Sequence, residues 1–411
     1  MGSEKRMNYR LMAILLFNLV LLNSSELMSD DWPQWRGLNR DGISKETGLI
    51  NSWPKNGPEI LWRIPANDGY SAAAVSKDKL FVMWAEDKNE VMVSLDANSG
   101  RVLWKHKIGP LYTDDWGSGP RAAPVVDGDA VFGIGAYGRL HAVNAVSGKP
   151  LWSHDLVKEY ETRRPHWGYA GTPVVYQNKL LVEVGGRAGH AFMAFDKKTG
   201  AEIWKSETDT LAYSSPVIFN IHNKNQAVFF SRRGLVSLDP DNGRKLWHYD
   251  WPAANIANPI FIAPDKIFIS SSYEKGSALV KINKNNSEFS AETVWKSGVM
   301  KNHINSCVLV GDYLYGFDNA VLRCINAGTG ELKWSKRRLG RGSLIYADGK
   351  LIVLGEKGKL VLLKADPEKY NELTKSKILK GRCWTPPALA DGRLYLRSRK
   401  ELVCVNLKEK K

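Results

Sequence analysis

The chain reads as all-β: an eight-bladed propeller of four-stranded blades, its ring closed by strands from the N- and C-terminal parts of the sequence. Three observations predict this. A phrase built of an apolar residue, Asp or Asn, a polar turn ending in Gly and a short strand ending in Trp recurs five times, as LDANSGRVLW (95–104), VNAVSGKPLW (143–152), FDKKTGAEIW (195–204), LDPDNGRKLW (238–247) and INAGTGELKW (325–334). The closing tryptophans, Trp62, Trp104, Trp152, Trp204, Trp247, Trp295 and Trp334, stand 39 to 52 residues apart, the size of a propeller blade. Between them lie only strand and turn signals, and such units bury their faces only against neighbours.

Residues 30–58 (DDWPQWRGLNRDGISKETGLINSWPKNGP) carry no repeat and predict an extended strap lying on the ring, anchored by Trp32, Trp35 and Trp53. The propeller occupies 59–411. EILWRI (59–64) is a closing strand with no blade before it. Each unit then runs from a small or polar loop into a first strand (AAPVV at 122–126, GTPVV at 171–175, SSPVI at 214–218). A second apolar strand follows, as in KLFVMW (79–84) or KIFIS (266–270), dense in β-branched and aromatic residues. The third strand ends at the Asp or Asn, and the turn-plus-Trp phrase supplies the fourth. Two closing phrases are degenerate: KINKNNSEFSAETVW (281–295) carries an insertion, and KADPEKYNELTKSKIL (364–379) lacks Gly and Trp. RCWTPPALADGRLYLRSRKELVCVNL (382–407) supplies three strands, and 59–64 supplies the missing fourth, which makes eight blades and leaves no long exposed sheet edge.

The repeated Trp is read as packing, its flat ring stacking on the Gly turn of an adjacent blade. The Asp or Asn and the Ser or Thr of the phrase hydrogen-bond that turn locally. These phrases staple blade to blade and are not a catalytic set.

At the N-terminus, Lys5, Arg6 and Arg10 precede the apolar run LMAILLFNLVLL (11–22). Twelve residues suit a signal peptide better than a span, which needs about 20, so 1–29 is expected to direct export to the periplasm or outside the cell, an uncleaved anchor being the alternative. No Cys follows the run, so the chain is not expected to be a lipoprotein. Of Cys307, Cys324, Cys383 and Cys404, Cys324 and Cys404 take the place of Ser94, Ala142, Ala194 and Ser237 in other units, a small packing position that favours buried free thiols. No CxxC, HExxH or adjacent Cys pair occurs, and the eight His residues show no ligand spacing. The net charge of +15 favours acidic partners. The cations are spread over all blades, with small clusters such as Lys336-Arg337-Arg338 and the C-terminal KEKK, and no nucleic-acid partner is expected.

The phrase met as AFDKKTGAEIW resembles the tryptophan-docking repeat of pyrroloquinoline-quinone (PQQ) dehydrogenases and their non-enzymatic kin. DWPQWRGLNRDGIS (31–44), WGSGPRAAP (116–124), HWGYAGTP (166–173), MKNHINS (300–306) and GRCWTPP (381–387) resemble marked segments of a PQQ-like propeller subgroup. Two functions are implied by the wider superfamily. PQQ alcohol dehydrogenases hold the quinone in the channel between a Trp and a vicinal disulfide, with Ca²⁺ on Glu, Asp or Asn. This chain lacks the vicinal pair and a haem CxxCH. The propeller lipoprotein of the outer-membrane β-barrel assembly machine is an eight-bladed scaffold, and here the lipobox Cys is missing.

A site is expected at the channel mouth, where closing strands lead into the next blade's first strand. Those loops carry Tyr70, Tyr213, Asn258, Asn302, Asn305 and Arg341, and a pocket ringed by Trp116, Trp167 and Trp384 with Arg121, Arg164 and Arg382 facing an anionic or carbonyl-rich ligand. Asp114 or Asp115 with Asn255 are the oxygen ligands available to Ca²⁺. His166, His303 and Asp115 are the residues available for proton transfer. The sequence therefore predicts a monomeric, exported, non-catalytic scaffold for a protein or an anionic envelope or polysaccharide partner, bound on the loop-rich face; a polysaccharide-binding or processing accessory is a further reading that rests on the aromatic loops alone. The alternative is a small quinoprotein dehydrogenase oxidising an alcohol or sugar with PQQ and Ca²⁺ in the channel. An enzyme requires a carboxylate-lined metal site beside a stacking Trp; a scaffold requires only an exposed loop face.

Overall fold

A computed structural model describes residues 31–409; the expected signal segment lies outside them. Eight four-stranded antiparallel sheets follow one another along the chain. The first blade is Ala74–Ser76, Lys79–Glu86, Asn89–Asp96 and Val102–Pro110. The eighth combines Ala388–Ala390, Arg393–Arg397 and Glu401–Asn406 with Ile60–Pro65. Trp62 pairs with Cys404 there, so the predicted two-ended closure holds. The first strands are short and contact one another around the channel. Among the described residues no helix is long and apolar enough to cross a membrane.

The tryptophan phrases behave as inter-blade staples. Indole Nε1 atoms of Trp62, Trp104, Trp152, Trp204, Trp295 and Trp334 donate to carbonyls of Ala97, Ala145, Lys197, Pro240, Ala327 and Asp366, each in the next blade's turn, at 2.9–3.2 Å. Beneath five of these rings lies a turn glycine: Gly100, Gly148, Gly200, Gly243 or Gly330. At Gly148, φ is +69° and an added Cβ would sit 2.6 Å from Trp104 Cδ2. The turn needs the left-handed backbone and the ring needs the missing side chain. Asp96 Oδ1 accepts from Ser99 N and Ser99 Oγ, both at 2.8 Å, and the Ser99 hydroxyl bond holds its pKa below the usual range.

Trp247 departs from the pattern. The fifth blade's inserted phrase forms a long hairpin, Gly276–Asn285 with Glu288–Ser297, and offers no glycine turn. Trp247 Nε1 instead donates to Gln226 Oε1 of its own blade at 2.6 Å. All four cysteines are buried free thiols. A two-strand hairpin (Thr113–Asp114 with Gly117–Ser118) and a one-turn helix (Leu156–Glu159) decorate the connections at one face.

The strap does more than lie on the ring. Trp32 pairs with Val75 of the first blade, Ile43 with Tyr346 of the seventh, and Leu49 with Lys408 beside the eighth. Between these bridges it crosses the channel. Arg36 is buried and donates to the carbonyls of Ser306 (3.3 Å), Cys307 (2.5 Å), Arg40 (3.2 Å) and Asp41 (2.6 Å). Arg40, also buried, reaches Thr172 O and Pro216 O at 3.0 Å each, Gln34 Oε1 at 2.8 Å, and Pro173 O. Both arginines adopt left-handed backbone, φ +64° and +61°. That conformation is uncommon outside glycine, and here it turns both guanidinium groups onto carbonyls of several blades. Burial lowers their pKa, to about 10 for Arg36 and about 9 for Arg40. Neither guanidinium makes an ion pair among the described residues; carbonyl dipoles, helped at Arg36 by the nearby Asp41 charge, do the compensating. The expectation of a surface strap is thus corrected: residues 32–44 plug the channel.

Candidate functional site

Above the plug, the connections between blades wall a cavity of about 150 Å³. Its lining is mainly aromatic, from Tyr70, Trp116, Trp167, Tyr213, Tyr273 and Trp384, with Trp35 reaching in from the strap. The rings brace one another: Tyr70 stacks on Trp384 at 5.6 Å, Trp116 tilts against Trp384 at 5.4 Å, and Trp167 stacks on Tyr273 at 6.0 Å. Trp35 Nε1 donates to Asn258 Oδ1 at 3.2 Å, and Asn258 Nδ2 donates to Ser215 O at 3.3 Å. Trp384 Nε1 donates to Glu356 Oε1 at 2.9 Å. The walls are therefore fixed by bonds among the lining residues and, at Trp384, by a bond to Glu356 outside the cavity.

Most of the expected residues converge. Trp116, Trp167, Trp384, Arg121, Asp114 and His303 all line the cavity. Arg121 lies over Tyr70 (4.9 Å) and Tyr112 (5.1 Å) and pairs with Asp114 at 2.8 Å. Its Nε is buried without a partner. Arg382 lies over Trp384 at 4.4 Å and donates to Trp116 O at 3.0 Å, bracing the rim from behind. His303 is 8% exposed. Its Nε2 meets Tyr273 OH at 3.2 Å, while Nδ1 has no partner. Burial, with Arg341 nearby, lowers its pKa to about 4, so the ring is neutral at physiological pH.

Others are placed elsewhere. Arg164 turns outward over Tyr112 (5.0 Å) and Tyr137 (5.4 Å) and lines a separate groove of about 880 Å³. His166 lines a neighbouring pocket of about 560 Å³, across Trp167, Tyr213 and Tyr273 from the cavity. Asp115 is exposed outside all of these. Asn255 is fully buried, donating to Ser231 O (2.6 Å) and Trp251 O (3.2 Å) and accepting from Ser271 Oγ (2.6 Å). It is a backbone clamp. Sequence reasoning missed Trp35, Tyr273 and Glu356. Tyr273 and Glu356 sit in turns between second and third strands, which reach the same face as the connections considered. An aromatic residue in the turn of ISSSYEKG (269–276) was the available signal.

The residues do not fit a Ca²⁺–quinone pair. Asp114 Oδ1 accepts from Trp116 N (2.8 Å) and Gly117 N (3.1 Å) and pairs with Arg121, and Oδ2 accepts from Tyr112 OH (3.2 Å). Neither Asp115 nor Asn255 joins it, and among the described residues no group of three His, Cys, Asp or Glu could hold a metal ion. Ca²⁺ needs six to eight oxygen ligands. The cavity is also smaller than the roughly 300–1,000 Å³ of pockets for drug-sized ligands; it suits one ring-sized group. No step is derived through PQQ.

The family described as outer membrane protein assembly factor BamB matches residues 87–336. Among curated proteins, quinoprotein alcohol dehydrogenase PedH of Pseudomonas putida is 28% identical over 175 residues, 38% of this chain and 27% of its own length. Tetrathionate hydrolase of Acidithiobacillus ferrooxidans is 22% identical over 273 residues, 57% of this chain and 49% of its own. The chain thus spans half the length or less of these relatives. Among solved structures, BamB from Moraxella catarrhalis superposes with TM-score 0.61 at 15% identity, over 86% of this chain and 98% of that one. Quinohemoprotein alcohol dehydrogenase from Comamonas testosteroni gives 0.64 at 13% identity, over 96% and 82%. These structural likenesses carry the fold alone.

Proposed function

Since the chain belongs to the propeller family described as outer membrane protein assembly factor BamB, we propose that it is a non-catalytic binding scaffold that holds a protein partner on its loop face. One side chain of the partner, aromatic or bulky aliphatic, enters the cavity. One observation carries this reading: a small aromatic box at the mouth of a plugged channel, its arginines and aspartate already engaged by the protein itself. Such a box offers apolar area and fixed shape, the make-up of a pocket that receives an interface anchor. Free nucleophiles, paired carboxylates and a metal cradle play no part. The basic residues and apolar run at 5–22 support export of the scaffold to the periplasm or outside the cell.

The test is a fluorescence titration of the full chain with short peptides carrying a central Trp, Phe, Leu or Ala, run alongside calorimetric titration with PQQ and Ca²⁺. The scaffold reading expects quenching by the aromatic and Leu peptides, loss of it in Trp116→Ala or Trp384→Ala, and no heat from PQQ. Ca²⁺-dependent PQQ binding with reduction of an acceptor dye on alcohols or sugars would replace it with the dehydrogenase reading, which the similarity to quinoprotein alcohol dehydrogenase PedH supports.

A further inference from the structure

The cluster Lys336-Arg337-Arg338 has no role in the loop-face cavity. It ends the sixth blade's outer strand, Leu332–Lys336, and starts the connection to the seventh. There it lines a groove of about 370 Å³ whose opposite wall is the seventh blade, through Lys359, Tyr370 and Lys375. The groove's single carboxylate, Glu372, is already engaged: Lys375 pairs with it at 2.6 Å and Tyr370 OH donates to it at 2.7 Å. Lys336 rests its ammonium 4.4 Å from the centre of the Tyr370 ring. Arg337, Arg338 and Lys359 make no ion pair among the described residues.

Some outer-strand lysines of other blades have carboxylates at hand, as Lys105 has Glu86 at 2.5 Å and Lys245 has Glu207 at 2.7 Å. Lys336, Arg337, Arg338 and Lys359 converge on a groove whose one carboxylate, Glu372, is already held by Lys375 and Tyr370, and an anion of more than one charge bound there is attracted by all four. Arg338 has φ +76°, so glycine suits the backbone at this position.

We propose that this groove is a binding site for a phosphate group. A phosphate monoester carries about −1.5 to −2 charges at pH 7 and three strong acceptor oxygens. One such group answers several of the unpaired cations at once, where a carboxylate would answer one. The guanidinium groups of Arg337 and Arg338 supply the planar forks that match phosphate oxygens, and Lys336 and Lys359 supply point charges. The site is separate from the loop-face cavity and does not depend on its ligand.

The experiment titrates the full chain with inorganic tripolyphosphate by calorimetry at low and high salt, and floats it with vesicles of phosphatidylcholine with or without phosphatidic acid. Tripolyphosphate binding that weakens with salt and drops about tenfold in Arg337→Ser/Arg338→Gly, the size expected for lost charge-assisted hydrogen bonds, supports the site and assigns it to soluble phosphate. Selective flotation with phosphatidic acid, lost in the same variant, supports it and assigns the phosphate to a lipid headgroup. Arg338→Gly suits the local backbone, so its melting temperature is expected to hold or rise, and weaker binding then cannot be ascribed to misfolding. The control Lys281→Ser/Lys284→Ser removes two charges from the fifth-blade hairpin. Equal loss in this control, or no binding in either assay, overturns the proposal.

Discussion

Glu183 closes the third blade's second strand, Lys179–Glu183, and its buried Oε1 accepts the Ala212 N–H at 3.0 Å. Burial raises its pKa from 4.5 to about 8, Asp209 adding to the rise. Between those two pH values the folded protein holds a proton that the unfolded chain has released. Stability therefore falls as pH rises through the window. At about 1.4 kcal/mol per pH unit, the loss is about 3 kcal/mol at pH 7 and approaches about 5 kcal/mol above pH 8. Glu183→Gln keeps a carbonyl for Ala212 and removes the charge. The variant is expected to match the parent near pH 5 and to exceed it by about 3 kcal/mol at pH 7. Thermal melts followed by circular dichroism from pH 5 to 9 would display this as a flattened pH profile. Melting curves that keep the parental slope, or a variant less stable at pH 8, would refute the reasoning. The effect reaches the cavity, because Ala212 precedes Tyr213 in its wall.

Two further predictions concern the plug and the staples. Arg40→Met strands the buried carbonyls of Thr172, Pro173 and Pro216; at about 1–3 kcal/mol each, partly offset by no longer burying a cation, the net loss is about 3 kcal/mol, checked by thermal melts and by faster proteolysis within the strap. Gly148→Ala adds contact with Trp104 to the left-handed backbone cost and should destabilise by about 2–4 kcal/mol, whereas Gly128→Ala, with φ +57° and nothing within 4 Å, should cost about 1–2 kcal/mol, the difference in melts measuring the staple.

Blade count, ring closure and staples were legible because each is a local phrase written several times. The phrase holds its own turn bonds, and its spacing fixes where the indole lands. Even the weak stretch 364–379 keeps its place, with Asp366 O accepting Trp334 although the glycine is absent. The plug was not legible. Arg36 and Arg40 answer carbonyls 132 to 271 residues away, and nothing local to WRGLNRDG distinguishes a buried guanidinium from a solvated one. The cavity was legible in part. Connections between blades revealed Trp116, Arg121, Trp167, His303 and Trp384, but Tyr273 and Glu356 stand in hairpin turns that also reach that face. The fate of Asn255 depended on Ser231, Trp251 and Ser271, which only the folded ring brings around it.

Closure has a temporal consequence. Arg63 and its ion-pair partner Glu401 are 338 residues apart, so at about 5–20 residues per second of synthesis the first half of the seam waits roughly 17–70 s for the second. During that interval Ile60–Pro65 is an unpaired strand, and the strap is an axle around which blades are still being mounted. Pairings so distant in sequence make for slow folding, and a stalled ribosome would leave an open crescent with two bare sheet edges. For this fold, the final blade acts as a latch: until it arrives, every earlier blade is provisional.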